Sequence, residues 1–184
     1  MSKQPVLRVD AQQNRERILA AADALFLERG AGASLEEVAR RAGVGIGTLY
    51  RRFATREELL AATYNARLLT LAEASRARDA EHDPVSALRA YLEGLVINTT
   101  RYRGLALSLD TVLQSGTPGC DATTEEGQRL LHCGQQAGII RPDVTFDDLV
   151  FVVTASSLAA EQDEALAARV SHLVDLFLNG ISVR

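Results

Sequence analysis

The stretch from Leu35 to Ala54 constrains this chain more than any other. It joins two short apolar-periodic segments through a glycine. Leu35, Val38 and Ala39 share one face of the first segment, and Val44 and Leu49 belong to the apolar face of the second. Ala39 is small where two helices must cross closely. Gly43 stands at the turn, where a positive φ is cheap only for glycine. Such a pair must bury its apolar face against a further helix. Ile18, Leu19, Ala22, Leu25 and Phe26 supply one at helical spacing between Asn14 and Arg29. The pattern predicts a helix-turn-helix packed on a leading helix.

The remaining chain continues in helices and shows no alternating strand pattern. Ser34 with Glu37, and Thr55 with Glu58, have the spacing of capping boxes at the starts of the second and fourth helices. The third helix is expected over about Gly45–Arg52 and the fourth to about Arg78. Asp83-Pro84 opens a fifth, Arg101-Tyr102-Arg103-Gly104 interrupts it, and a short sixth carries Leu105, Leu109 and Leu113. Gln114 to Asp121, with Gly116, Pro118 and Gly119, is expected to be a loop before a seventh helix over about Thr123–Ala137. Phe146–Ala159 and Leu166–Ile181 form the last two, and residues 1–10 are expected to be a flexible arm. The expected fold class is all-α with about nine helices: a helix-turn-helix head over residues 1–57 and a larger helical body over 58–184.

Charge is divided between these parts. Residues 1–60 hold ten Lys/Arg against eight Asp/Glu, a net +2, whereas residues 61–184 carry a net −6. A basic head on an acidic body suits a protein that meets a polyanion with one end only. Cys120 and Cys133 have neither CxxC spacing nor a histidine cluster, and read as reduced thiols of a cytoplasmic protein. No signal peptide is expected behind Met1 to Pro5, and no apolar run reaches the roughly 18 residues of a membrane span. HExxH, GxSxG and GxxxxGK[ST] are absent, and the pairs Glu125-Glu126 and Asp147-Asp148 are sequential, so their members point to different helix faces. The expectation is a protein that is not an enzyme and needs no cofactor or metal.

A recognition helix needs small residues at its N-terminal end to approach a groove floor, and Gly45 and Gly47 provide them. Thr48 and Tyr50 offer hydroxyls, while Arg51, Arg52 and Arg56 offer charge for phosphates. The run from Gly43 to Phe53, followed by Thr55-Arg56-Glu57-Glu58-Leu59-Leu60, closely resembles the tetracycline-repressor (TetR) family motif, and Ile18 to Gly30 resembles that family's first helix. The resemblance covers about residues 14–62. It implies that Thr48 and Tyr50 grip phosphates, that Arg52 touches backbone or base edges, and that Arg56 and Ser34 hold further phosphates. Gly45 and Ile46 fall where bases are often read. The commoner pattern has serine at the position of Gly45, so base reading here is expected to rest on Ile46 against a thymine methyl, on Arg51 or Arg52, or on DNA shape.

The two last helices carry more apolar surface than one small body needs. Phe146, Leu149 and Val153, with Leu166, Val170, Leu173, Val174, Phe177 and Leu178, are expected at a homodimer interface. Two heads would then meet two half-sites of a double-stranded operator. The resemblance further implies a pocket for a small-molecule effector, with Tyr64, Leu68, Thr99, Tyr102, Leu109, Leu113, His132 and Phe151 as candidate lining. The expected function is a repressor released from its operator by a small molecule. A helical small-molecule carrier or an interaction adaptor, each with a purely structural helix-turn-helix, remains open at this level.

Overall fold

The computed structural model describes the backbone of residues 4–78, 83–162 and 166–183, and the side chains of these except residues 4–10 and 166–168. Among the described residues the chain is all helical apart from one isolated bridge between Ile140 and Ser182. The elements in order are α1 (Gln4–Arg29), α2 (Leu35–Arg41), α3 (Ile46–Arg52), α4 (Arg56–Arg78), α5 (Pro84–Thr99), a 3-10 turn (Leu105–Ser108), α6 (Leu109–Leu113), α7 (Pro118–Gln136), α8 (Phe146–Ala160) and α9 (Leu166–Ile181).

Two boundaries differ from the sequence expectation. Helix α1 begins at Gln4, so most of the expected arm is helical. Helix α7 begins at Pro118, inside the expected loop. Thr117 accepts a hydrogen bond from the Cys120 N–H and Pro118 occupies the first turn, where a proline forfeits no helical hydrogen bond. Gly119 belongs to that helix because a close approach demands it. Its N–H donates to Asn65 Oδ1 at 2.7 Å, and a Cβ there would stand 2.3 Å from the Asn65 carbonyl oxygen. Thr123 on the next turn donates to the Leu68 carbonyl at 3.2 Å. Helix α7 therefore lies tightly along α4.

Helices α1, α2 and α3 close on Ile18, Leu25, Phe26, Val38 and Leu49, each no more than 1% exposed. Helix α2 ends at Gly43 (φ +66) with two reversed hydrogen bonds, from Gly43 N to the Arg40 carbonyl and from Val44 N to the Ala39 carbonyl. That is a Schellman termination, which fixes how α3 leaves α2. In the body, α5 packs against α7, α8 and α9, around Leu88, Tyr91, Leu92, Leu95, Val153 and Val174. Head and body share one continuous core, with Tyr102 touching the rings of Phe26 and Tyr64 at centroid distances of 5.6 and 5.0 Å.

The last two helices correct an expectation. Leu149, Val153, Val170, Val174 and Leu178 are buried inside the single chain, and Phe146 and Phe177 pack partly buried against the same core. Leu173 is half-buried, and the side chain of Leu166 lies outside the described residues. The stripe expected at a dimer contact therefore fills the protomer's own interior. The exposed large apolar residues of these helices are instead Phe151 on α8, 75% exposed, and Leu176 on α9, 57% exposed.

Candidate nucleic-acid interface

Helix α3 is seven residues long, and its side chains sort into three directions. Leu49 is fully buried and, with Phe53 and Val44, anchors the helix to the head's core. Ile46 and Tyr50 are exposed by 36% and 46%, and Gly47 and Arg51 are exposed one position on from each. These four lie at i and i+4 spacing and share the outward face. Thr48 and Arg52 turn toward α1, where with Ala11, Asn14, Ile18 and Arg51 they line a cleft of about 190 Å³.

The outward face is open at its start. Nothing stands within 4 Å of a Cβ built on Gly45 or Gly47. No acidic residue occurs in α3, and Arg51 and Arg52 have no carboxylate partner among the described residues. Arg51 Nη2 donates to Thr48 Oγ1 at 3.0 Å, and Arg52 Nη2 donates to the Ala11 carbonyl at 2.6 Å. The second contact steers Arg52 toward α1 and leaves Arg51 as the cation on the outward face. By contrast, Arg40 and Arg41 are neutralised locally by Glu37 and Glu28, at 2.6 and 2.8 Å.

Two expected phosphate ligands are already engaged. Ser34 accepts from the Glu37 N–H at 3.4 Å and donates its hydroxyl to Glu36 at 2.7 Å, which holds the Glu36 carboxyl below the usual carboxylate range. Glu37 pairs with Arg40, so only half of the expected capping box forms. Arg56 Nη1 donates to the Ala31 and Ala33 carbonyls at 2.9 and 2.5 Å and braces the turn between α1 and α2. Thr55 does cap α4, accepting from Glu58 N at 3.1 Å, and Glu58 accepts from the Ala54 N–H at 2.7 Å.

The sequence reading missed what α1 adds. Asn14 and Ala11 form the wall of the cleft beside α3, and an Arg17 guanidinium nitrogen stands 3.6 Å from where a Gly43 Cβ would be. Asn14 accepts from Arg17, which ties these two α1 side chains together. The available signal was their shared spacing with Ile18 on one helix.

The expected effector residues do not converge. Tyr64, Leu68, Thr99, Tyr102 and Leu109 are at most 3% exposed and line none of the cavities described for this structure. Leu113 lines a cavity of about 380 Å³ between α6, α7 and α8. Phe151 borders an adjoining groove of about 370 Å³, which shares Asp110, Gln114, Asp147 and Val150 with that cavity, and His132 is exposed on α7 and lines neither. Thr99 donates to its own helix, to the Leu95 carbonyl at 2.8 Å, and Tyr102 donates to Asp23 on α1. Both are satisfied core residues. A cavity of about 750 Å³ opens instead between the outer faces of α4 and α5.

A three-helix head that presents an acid-free, arginine-bearing helix, carried on an all-helical body, defines a helix-turn-helix DNA-binding regulator. Residues 18–63 match the family model of bacterial regulatory proteins of the tetR type, and residues 83–183 match the C-terminal domain of SbtR-like transcriptional regulators. A TetR transcriptional regulator of Streptomyces coelicolor is 35% identical, with 91% of this chain and 98% of that one covered and a TM-score of 0.53. An HTH-type transcriptional regulator of Staphylococcus aureus strain USA300 is 43% identical over 54 residues, which is 29% of each chain. The chain thus spans less than a third of that relative's length in the alignment. FadR of Bacillus subtilis, solved with stearoyl-CoA, shares the fold at 18% identity, with 90% and 98% of the two chains covered and a TM-score of 0.62. This chain belongs to the TetR family of DNA-binding transcriptional regulators, which are not enzymes. Among the described residues no helix is long and apolar enough to cross a membrane.

Proposed function

We propose that this regulator is a cytoplasmic, homodimeric repressor that leaves its operator when a small molecule binds the body. The observation that carries the DNA-reading part is the outward face of α3. Ile46 and Arg51 project from it over buried Leu49, and two glycines leave its start open to a groove floor. In this reading Ile46 meets a thymine methyl, Arg51 a phosphate or guanine edge, and Tyr50 and Thr48 the backbone. Arg52, Arg56 and Ser34 act mainly by fixing the head's shape, through the bonds they make to α1, to the α1–α2 turn and to α2.

The dimer reading moves to a new set of residues. Phe151 and Leu176 expose large apolar side chains on α8 and α9, and burying them against a second copy is the physical gain from association. The expected division after residue 57 falls within the first turn of α4, so one helix belongs to both head and body. Tilting α4 would therefore turn the head. An effector that favours the tilted state lowers operator affinity by its difference in affinity for the two states.

Selection from random DNA duplexes tests the proposal. The expected product is a two-fold symmetric site with half-sites about one helical turn, or a multiple of it, apart. Enrichment of an asymmetric site, or of none, contradicts it.

A further inference from the structure

We infer that the open groove between α4 and α5 is the effector site, and that it takes an organic carboxylate with an apolar body. The inference rests on reading the chain as an effector-responsive regulator. At about 750 Å³ the groove has the capacity of a small-molecule site. Its floor is made of small and apolar side chains. Gly94 keeps the helices close, since a Cβ there would stand 2.8 Å from Leu71 Cδ1, and Ile97 offers a wall that is 54% exposed.

The polar groups at one end select the head group. Arg67 and Asp23 line that end. Asp23 already accepts the Tyr102 hydroxyl. Arg67 is half-buried and makes no hydrogen bond or ion pair with another described residue. Behind them the Tyr64 hydroxyl is buried, has no hydrogen-bond partner, and lies within the field of Arg67, Arg101 and Asp23. The unmet group lining this end is thus the Arg67 cation, which calls for an anionic acceptor, while the Tyr64 hydroxyl lies behind it and does not line the groove. Arg78 and Glu93, of opposite charge, line the groove as well, so neither sign is favoured for the ligand's body away from Arg67.

The same end is where head meets body. Tyr102 ties the body to α1 through Asp23, while the next residue, Arg103, accepts the Ala31 N–H at 2.9 Å. A carboxylate at Arg67 places a like charge beside Asp23, the residue through which Tyr102 holds α1, and so weakens the docking of the head.

The full-length protein, free of DNA, is titrated with octanoate and with phenylacetate and followed by NMR at the Ile97 methyl groups and the Tyr64 and Tyr102 rings. Octan-1-ol and octylamine at equal concentration serve as controls. At least one carboxylate should give saturable shifts at these three residues, and the two controls should not. Arg67→Met should weaken that binding at least tenfold, and Ile97→Asp should abolish it. Silence at these residues with both carboxylates, equal binding of octan-1-ol, or unchanged affinity in Arg67→Met overturns the inference. A gel shift of the ligand-free protein on selected duplexes separates the two levels. DNA binding with a silent groove removes only this site, whereas failure to bind any duplex removes the regulatory reading itself.

Discussion

Replacing Gly30 by alanine tests how the reading head is seated on the body. Gly30 ends α1 at φ +85, a conformation that costs an L-residue about 1–2 kcal/mol. A Cβ there would also stand 2.5 Å from the Arg103 carbonyl oxygen, which is backbone and cannot rotate aside. Relief must push the Arg101–Gly104 segment away from the head. That sacrifices the Ala31 N–H bond to the same oxygen, a net loss of about 1 kcal/mol. Strain and lost bond together give about 2–3 kcal/mol, a large share of the roughly 5–15 kcal/mol by which domains are stable. The displacement also carries Tyr102 away from Asp23 and Phe26. Urea denaturation at fixed protomer concentration, followed by circular dichroism, measures the loss. Gly32→Ala is the control, because nothing lies within 4 Å of its Cβ and its φ is not positive. If Gly30→Ala comes within about 0.5 kcal/mol of Gly32→Ala, the head does not rest on Arg103 as described.

Phe151→Asp should shift the protein from dimer to monomer in sedimentation velocity while leaving its helix content intact, since the side chain is already 75% exposed in the protomer; an unchanged dimer would place the contact elsewhere. Gly45→Ser should leave the urea midpoint within error, because a Cβ there has open space, but alter the bases preferred in duplex selection, and an unchanged preference would mean that this position does not face the bases. Glu126 is buried, which works against its charge, but bonds from Arg129, Ser75 and Arg76 outweigh burial and hold its carboxyl below the usual range. Glu126→Gln should cost about 2 kcal/mol at pH 7, less than a fully buried pair because both arginines reach solvent. A depressed carboxylate stabilises above its unfolded pKa and loses that contribution as pH falls through the folded one, so the gap between wild type and variant should close on acidification below pH about 4.5. A gap that is constant with pH contradicts the ionic account.

Much of the head was legible because its constraints are local. Gly43 with Ala39 and Leu49 specifies a turn and a crossing that few other arrangements satisfy, and the structure realises both. The start of α7 was not legible, because Gly116, Pro118 and Gly119 read as punctuation. The helical placement of Pro118 and Gly119 depends on Asn65, 54 positions away in sequence from Gly119. Periodicity showed that Val170, Val174 and Leu178 lie on one face, yet the same stripe suits a partner subunit or the protomer's own core, and here it is core. The pocket failed for a related reason. Tyr102 and Thr99 combine an apolar body with a polar tip, which describes a cavity wall and an internally bonded core residue equally well. The groove that is present is made by small residues and Gly94, which mark a cavity only once α4 and α5 are set side by side.

The central claim is that the outward face of α3 binds DNA, and the salt dependence of that binding tests it most directly. Fluorescence anisotropy with a selected duplex, measured between low and physiological salt, gives the affinity and its slope for wild type and for Arg51→Ala. Arg51 has no carboxylate partner among the described residues and stands exposed beside Tyr50, so its loss should release about one phosphate contact per head. The variant should bind more weakly, and the magnitude of its log–log slope should fall by about one per head engaged. Equal affinity and equal slope in the two proteins would show that α3 is not the surface that meets DNA.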